Sequence, residues 1–431
     1  MRSSVLTAGT TAALLASLLA GCTGESPRGS GSESGPKSGS TGSGAPLRYL
    51  VQQPVAPATL EEIVADIAQF EKSSGIDVQV EAVPRGTTLT ALRTRLRSAT
   101  GPDVFEWGTG PGGAGALADD GLLYDLTDAY EKRDWPVYEV AKQSVTVDGR
   151  PVGIPGDIES VGLFCNLDLL SEAGVAVPTS LTALRTAAAT IRRSGVIPLA
   201  VGDREGWPGG QLLSMSLSGE TSPEQTAALV DGDSSWRSAE VVRALQVWKD
   251  FNVSGDLPRS PTSLSHDDAK ELFYDQDAAI LPGGSSLVAE VEDRADFQVG
   301  FVPFPARDGP GRPTAGVASG AFVSASTKNS SAAVELLDFL LSPGHGRWTV
   351  ETRDAAPAFP LTADVDASPL LDQVLTQTSE AAEGEDGLGT TIDSVSTGSF
   401  NDAVYDGMQR LLSGRGSARA VAHRLQRAAN D

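Results

Sequence analysis

The sequence predicts an α/β protein of two lobes, each a mostly parallel sheet flanked by helices. Three observations carry that expectation. From residue 47 to 107 strand-like and helix-like patterns alternate as β-α-β-α-β, the order that builds a parallel sheet. A second series of strands and helices begins at Val196–Val201, well beyond the first. The chain, at 431 residues, is long enough to bury two separate cores.

The first residues do not belong to either lobe. Met1-Arg2 leads into the apolar run Leu14–Ala20, which is too short for a stable membrane span but suits the core of an export signal. Leu19-Ala-Gly-Cys22 then matches the bacterial lipobox, in which small residues admit the signal peptidase and Cys22 receives the lipid. The alternative is an ordinary secretory signal with an incidental Cys. Residues 1–21 therefore read as a lipoprotein signal peptide and 22–46 as a Gly/Ser-rich tether, too poor in apolar residues to fold. With Cys22 lipidated, Cys165 has no disulfide partner and reads as a small apolar filler. Cleavage removes one base, Arg2, and takes the net charge from −23 to −24. That balance argues against nucleic acid, whose binding needs clusters of Lys and Arg.

Leu47–Val51 predicts the first strand, and Leu60, Ile63, Val64, Ile67 and Phe70 predict a helix closed by Gly75. Ile76–Val83 alternates as a second strand, Thr88–Ser98 is a second helix, and Gly101–Trp107 is a third strand. Ligands gather at the carboxyl ends of such strands, which places Gln52, Gln53 and Trp107 at one rim. The turn Asp148-Gly149 leads to the apolar run Val161–Cys165, read as a buried strand, and then to a short helix capped by Asn166 and closed by Gly174. Asp157 and Glu159 precede that run, where acids are unusual unless something needs their oxygens. Helices follow through about Phe251, with Trp248 on an apolar face. Ala269–Tyr274 is helical and Asp277–Leu281 is a strand. Phe297–Pro305 and Ala315–Ser324 are strand-like, and helices are expected over 331–341, 400–412 and 418–429. The stretch Glu383–Asp386 reads as a solvated acidic loop.

The segment Gly149-Arg-Pro-Val-Gly-Ile-Pro155, with Phe164-Cys165-Asn166-Leu-Asp168-Leu and Ala173-Gly174, resembles the central crossover of the maltose-binding-protein-like extracellular solute-binding proteins that feed sugar importers. There the pattern is G-x-x-Y-G-x-P, a strand ending in Y-N-x-D-L, and a helix ending in A-G; here the usual Tyr is Cys165. Phe70-Glu-Lys-Ser-Ser-Gly75-Ile-Asp-Val-Gln-Val80 resembles the family's first helix and second strand, and the likeness extends over about 47–412. The resemblance implies a type II periplasmic-binding-protein-like fold whose lobes are joined by crossover strands. It assigns 47–155 and 284–328 to lobe 1, and 156–283 and 329–431 to lobe 2.

The same resemblance suggests where a ligand would be held. Trp107, in the glycine-rich Trp107–Gly113, matches an aromatic sugar-contacting position, and its ring suits the C–H face of a pyranose or a cation. Gly110-Pro111 stand where the family has an Asp-Arg pair. Glu159, seven residues before Asn166, matches a carboxylate that accepts sugar hydroxyls. Asp157 is a further candidate of that kind. The plain alternatives are a core Trp and a hinge salt bridge. Glu205-Gly-Trp207 resembles the family's acid and stacking ring from the second lobe. Ser285-Ser286 replace the family's Trp, its later aromatic pair falls on Asn401-Asp402, and its Arg falls on Tyr405. Ser285, Asn401 and Asp402 would then supply hydrogen bonds, for a ligand smaller than a long maltodextrin.

Catalysis finds no support. His266, His345 and His423 lack metal-ligand spacing, no nucleophile-base constellation is present, and Gly108–Gly115 lacks the Lys-Ser/Thr of a phosphate loop. No cofactor is expected. The expectation is a monomeric, lipid-anchored solute-binding protein at the outer face of the membrane, taking a mono- or short oligosaccharide to the permease subunits of an ABC importer. Three rivals stand beside it. One is a binder of a polyamine or other small cation, caged by Trp107 and Trp207 beside Asp157 and Glu159. The others are a secreted glycosidase using Glu159 and Glu205, and a cell-surface adhesion or sensor module.

Overall fold

The computed structural model describes residues 45–53, 59–84, 87–384 and 387–430. The export signal, Cys22 and nearly all of the tether lie outside the described residues, as do residues 385 and 386 of the acidic loop. Among the described residues no helix is long and apolar enough to cross a membrane.

Two sheets organise the chain. In the first, the strands lie in the order Val78–Val83, Leu47–Gln52, Val104–Gly108, Ser319–Val323, Gly153–Pro155. The first three are parallel, as the alternating pattern predicts, and the last two run antiparallel to their neighbours. Leu47, Tyr49 and Val51 face one core with Ile67, Phe70 and Leu336, while Leu50 faces another with Leu92, Phe105 and Phe322. A strand covered on both faces has to be apolar at consecutive positions, and this one is. The helix Leu60–Ser74 starts on a Thr59–Glu62 capping box and stops at Gly75, whose φ of 74° admits the left-handed turn that ends it.

The second sheet is built on the strand Asp157–Asn166. Thr314–Val317 and Gly389–Thr390 lie on one side of it and Ala278–Gly284 and Ile197–Leu199 on the other. Here the parallel expectation fails. The crossover strand runs antiparallel to Val299–Val302, Thr314–Val317, Ala356–Pro357 and Ala278–Gly284. Its cores hold Trp236, Trp248 and Phe251 on one face and Phe164, Phe273 and Phe301 on the other, the first of them the largest in the described residues. Cys165 is buried there, as its strand position predicts, and is a free thiol among the described residues; Asn166 caps the helix Leu167–Glu172 by accepting the Leu169 N–H at 2.9 Å.

The chain passes between the sheets at Gly156, at Ala318, and again beyond Arg353. Sheet membership therefore departs from the expected ranges. Val299–Val302 and Thr314–Val317 belong to the second sheet, held by backbone pairing to residues 158–166. The helix Ser330–Leu340 belongs with the first, because Ala333, Leu336, Leu337 and Leu340 form an apolar stripe that fills the core against Leu47 and Tyr49. A small cluster of Tyr138, Ile158, Ala315, Val317, Ala356 and Ala358 packs around the passages themselves.

Candidate ligand-binding cleft

Where the chain passes between the sheets, the carboxyl end of strand Val104–Gly108 meets the crossover strands. Thr109, the next residue, donates its N–H to Ala318 O at 3.2 Å and its hydroxyl to Val317 O. This pins the first lobe's rim to the second passage. Beside it lies a pocket of about 210 Å³ lined by Thr109, Glu159, Val161, Gln211, Gly316, Ala318, Thr391, Asp393, Ser394 and Tyr405.

Glu159 points from the crossover strand toward Gly284 of the neighbouring strand; a Cβ there would lie 2.3 Å from Glu159 Oε1. A side chain there would push this carboxylate out of its present position. Ser286 donates its hydroxyl to Oε1 at 2.6 Å. Burial pushes the Glu159 carboxyl up, the Ser286 bond pulls it back, and the Asp393 charge raises it further. Asp393 sits on the short turn after strand Gly389–Thr390. The Thr391 N–H bonds Ala315 O at 3.0 Å, the Ile392 N–H bonds Ser214 Oγ at 3.0 Å, and Asn401 Nδ2 donates to Asp393 O at 3.1 Å. Burial raises the Asp393 carboxyl as well. Tyr405, on the helix Gly398–Leu412, is pushed up to about 12 by burial and by Asp393 and Asp402. Its ring packs over Gly206 and Gly210, at the start of the helix Trp207–Ser218 that carries Gln211.

The candidates named from the sequence divide around this pocket. Glu159 lines it. Trp207 does not line it; it is 37 % exposed on the helix that Tyr405 covers, with its ring edge against His266 at 4.8 Å. Glu205 turns away, accepting the His266 N–H at 3.1 Å and pairing with Arg204 at 3.1 Å. Trp107 shares the face of Phe105 and packs partly buried against the first lobe's core, so the rim contact passes to Thr109. Asp157 does not line the pocket; it pairs with Arg353 at 2.8 Å, joining the first and third passages. Ser285 is buried and accepts the Ser160 N–H at 3.1 Å, leaving Ser286 to reach Glu159. Asn401 braces the Asp393 turn, and Asp402 acts only as a charge near Tyr405. Gln52 donates its N–H to Glu106 Oε2 at 3.2 Å, and Gln53 donates its N–H to Val83 O at 2.7 Å. Neither lines the pocket. Sequence reasoning missed the polar lining residues Thr109, Gln211, Thr391, Asp393, Ser394 and Tyr405. The one available signal was an acid following the apolar Ile392.

A larger cavity of about 750 Å³ shares Gly316 and Ser394 with this pocket, but Trp236, Phe400, Val140 and Leu388 make it more apolar.

Ahead of the helix Trp207–Ser218, Asp203 is fully buried. Its Oδ1 accepts the Gly209 N–H at 2.8 Å, its Oδ2 has no partner, and burial lifts its carboxyl to about 7. The folded state thus favours the protonated acid. Its stabilising contribution is full below the unfolded pKa of about 4 and is lost as pH rises through about 7. Urea unfolding of the wild type is expected to weaken by about 1–3 kcal/mol more between pH 5 and pH 8 than that of Asp203→Asn. Parallel pH profiles would contradict this.

A family model described as bacterial extracellular solute-binding protein matches residues 52–346. The galactooligosaccharide-binding protein of Bacillus subtilis is 36 % identical over 109 residues, 25 % of this chain and 24 % of that protein, so the match spans about a quarter of its length. Among solved structures, a bacterial solute receptor with an exclusive preference for β-D-galactopyranose aligns over 90 % of this chain and 99 % of its own. Its TM-score is 0.76 at 17 % identity. A cyclic α-maltosyl-1,6-maltose binding protein of Arthrobacter globiformis aligns over 90 % and 98 %, with TM-score 0.70 at 20 % identity. At these identities the likeness is one of fold: two-lobed, α/β, with crossover strands.

Proposed function

The chain belongs to the bacterial extracellular solute-binding protein family, and from that membership we propose that it binds a carbohydrate in the cleft between its lobes and hands it to an ABC importer. The observation that carries the reading is the pocket at the passages. It combines the carboxylates of Glu159 and Asp393, the amide of Gln211, three hydroxyl side chains and the ring of Tyr405. Carboxylates grip hydroxyl groups through charge-assisted bonds, and an aromatic face suits the C–H face of a sugar ring. A pocket of about 210 Å³ favours one ring over a long glucan. The relatives that bind galactooligosaccharides and β-D-galactopyranose support the same class.

In this reading the protein is a monomer that holds its ligand without turning it over. Lobe closure is a hinge motion about Gly156, Ala318 and the segment after Arg353. Residues 1–21 direct export, the lipid on Cys22 and the tether hold the protein at the outer face of the membrane, and permease subunits dock on the closed form.

The test is a melting-temperature and tryptophan-fluorescence titration of the purified protein against mono- and oligosaccharides. A ligand at a hundredfold its dissociation constant adds about 2.7 kcal/mol of apparent stability. The expected result is a saturable response to one sugar type, weakened at least tenfold in Tyr405→Ala. Silence across all sugars, with a response to polyamines or amino acids, overturns the ligand class.

A further inference from the structure

The pocket carries more charge than a neutral sugar needs. Its lining supplies two carboxylates, Glu159 and Asp393, and no Lys, Arg or His. The Asp393 carboxylate meets no side-chain donor among the described residues; the nearby Asn401 amide is spent on its backbone carbonyl. Glu159 takes donors from Ser286 alone, its hydroxyl and its backbone N–H, and neither carries a charge. The remaining lining groups, Thr109, Gln211, Thr391, Ser394 and Tyr405, are uncharged at neutral pH. Thr109 and Ser394 already give their hydroxyls to backbone carbonyls. Two acids sharing a partly desolvated pocket repel each other, and each alone is costly to keep charged.

Resting on the carbohydrate reading above, we propose that this pocket selects an amino sugar, a single ring bearing a free ammonium group, over its neutral counterpart. The ammonium would sit between Glu159 and Asp393. A neutral hydroxyl can donate to either acid but cannot offset their charge, whereas an ammonium donates to both and neutralises one unit. Hydroxyl and ammonium donors both make charge-assisted bonds to a carboxylate, so the discrimination comes from the ammonium's own charge set against the two acids. Tyr405 and Gln211 would hold the uncharged remainder of the ring.

The experiment titrates purified protein calorimetrically at pH 7 with glucosamine, galactosamine, their N-acetyl derivatives, and glucose and galactose. Acetylation removes the charge while keeping the ring, so it isolates the ammonium. At least one free amine is expected to bind ten or more times tighter than both its acetylated and its neutral parent forms. Asp393→Asn is expected to erase that preference while keeping the melting temperature of the unliganded protein or raising it, because burial disfavours the charged carboxylate that the substitution removes. Glu159→Gln serves as the second variant, with the same expected loss of preference. Neutral or acetylated sugars binding as tightly as the amines overturn the charge selection and leave the carbohydrate reading standing. No binding by any of the six, with binding of spermidine, overturns both.

Discussion

Replacing Trp248 with alanine is expected to destabilise the second lobe by about 4 kcal/mol. The ring is fully buried, packed against Phe251 at 5.9 Å and Phe304 at 5.3 Å between centroids. Its Nε1–H reaches Leu212 O at 2.7 Å and Ser216 Oγ at 3.1 Å on the adjoining helix. Truncation removes the apolar contacts and the bridge between two helices, and opens a void that rigid neighbours cannot fill. Urea unfolding followed by circular dichroism should show a lowered midpoint. Trp248→Phe, which refills most of the void, should lose much less. A loss below about 1 kcal/mol for the alanine variant would mean that the core collapses around the gap, contrary to the packing described.

Gly316→Ala is expected to damage the cleft more than any other single methyl. An ideal Cβ at this position would stand 1.8 Å from Thr391 Oγ1 and 2.9 Å from Ser394 Oγ. Those two hydroxyls bond each other at 2.9 Å and shape the turn that presents Asp393. The added methyl forces the turn off the strand, an overpacking that costs about 1–3 kcal/mol. Ligand affinity should drop at least tenfold and the melting temperature should fall with it. Gly344→Ala, whose Cβ would meet only Ser342 Oγ at 3.9 Å, is the matched control and should be neutral or mildly stabilising. Unchanged affinity in Gly316→Ala would place the ligand elsewhere.

Much of this architecture was legible before any coordinates. Helix and strand patterns located Leu60–Ser74, Val78–Val83 and Asn166's cap because burial imposes a period that composition cannot hide. Glu159 was legible for the opposite reason, as an acid in an otherwise apolar strand. Asp157 carries the same signal and answers to Arg353 instead, since a partner nearly 200 residues away leaves no mark on local sequence. Trp107 could have been read differently. Phe105 and Trp107 share a strand face, and a buried Phe105 implies a Trp turned toward the same core. Asp393 and Gln211 were out of reach, because only the pairing of Thr314–Ala315 with Gly389–Thr390 inside the second sheet, between segments far apart in the chain, brings the turn after Thr390 against the strand at 314–317. Strand register likewise decided which sheet received Val299–Val302; alternation says that a segment is a strand but not whose neighbour it is.

Three passages between two lobes is an odd number. The described chain therefore starts in one lobe, at Leu47, and finishes in the other, with the helix Ala418–Ala428 packed on the core of Trp236 and Trp248. An even count would have left both ends on one body, blind to any motion between them. With this threading, a donor fluorophore joined before residue 45 and an acceptor joined after residue 430 ride on different bodies. The molecule is wired as its own displacement gauge, and needs no internal insertion to report whether the lobes have moved.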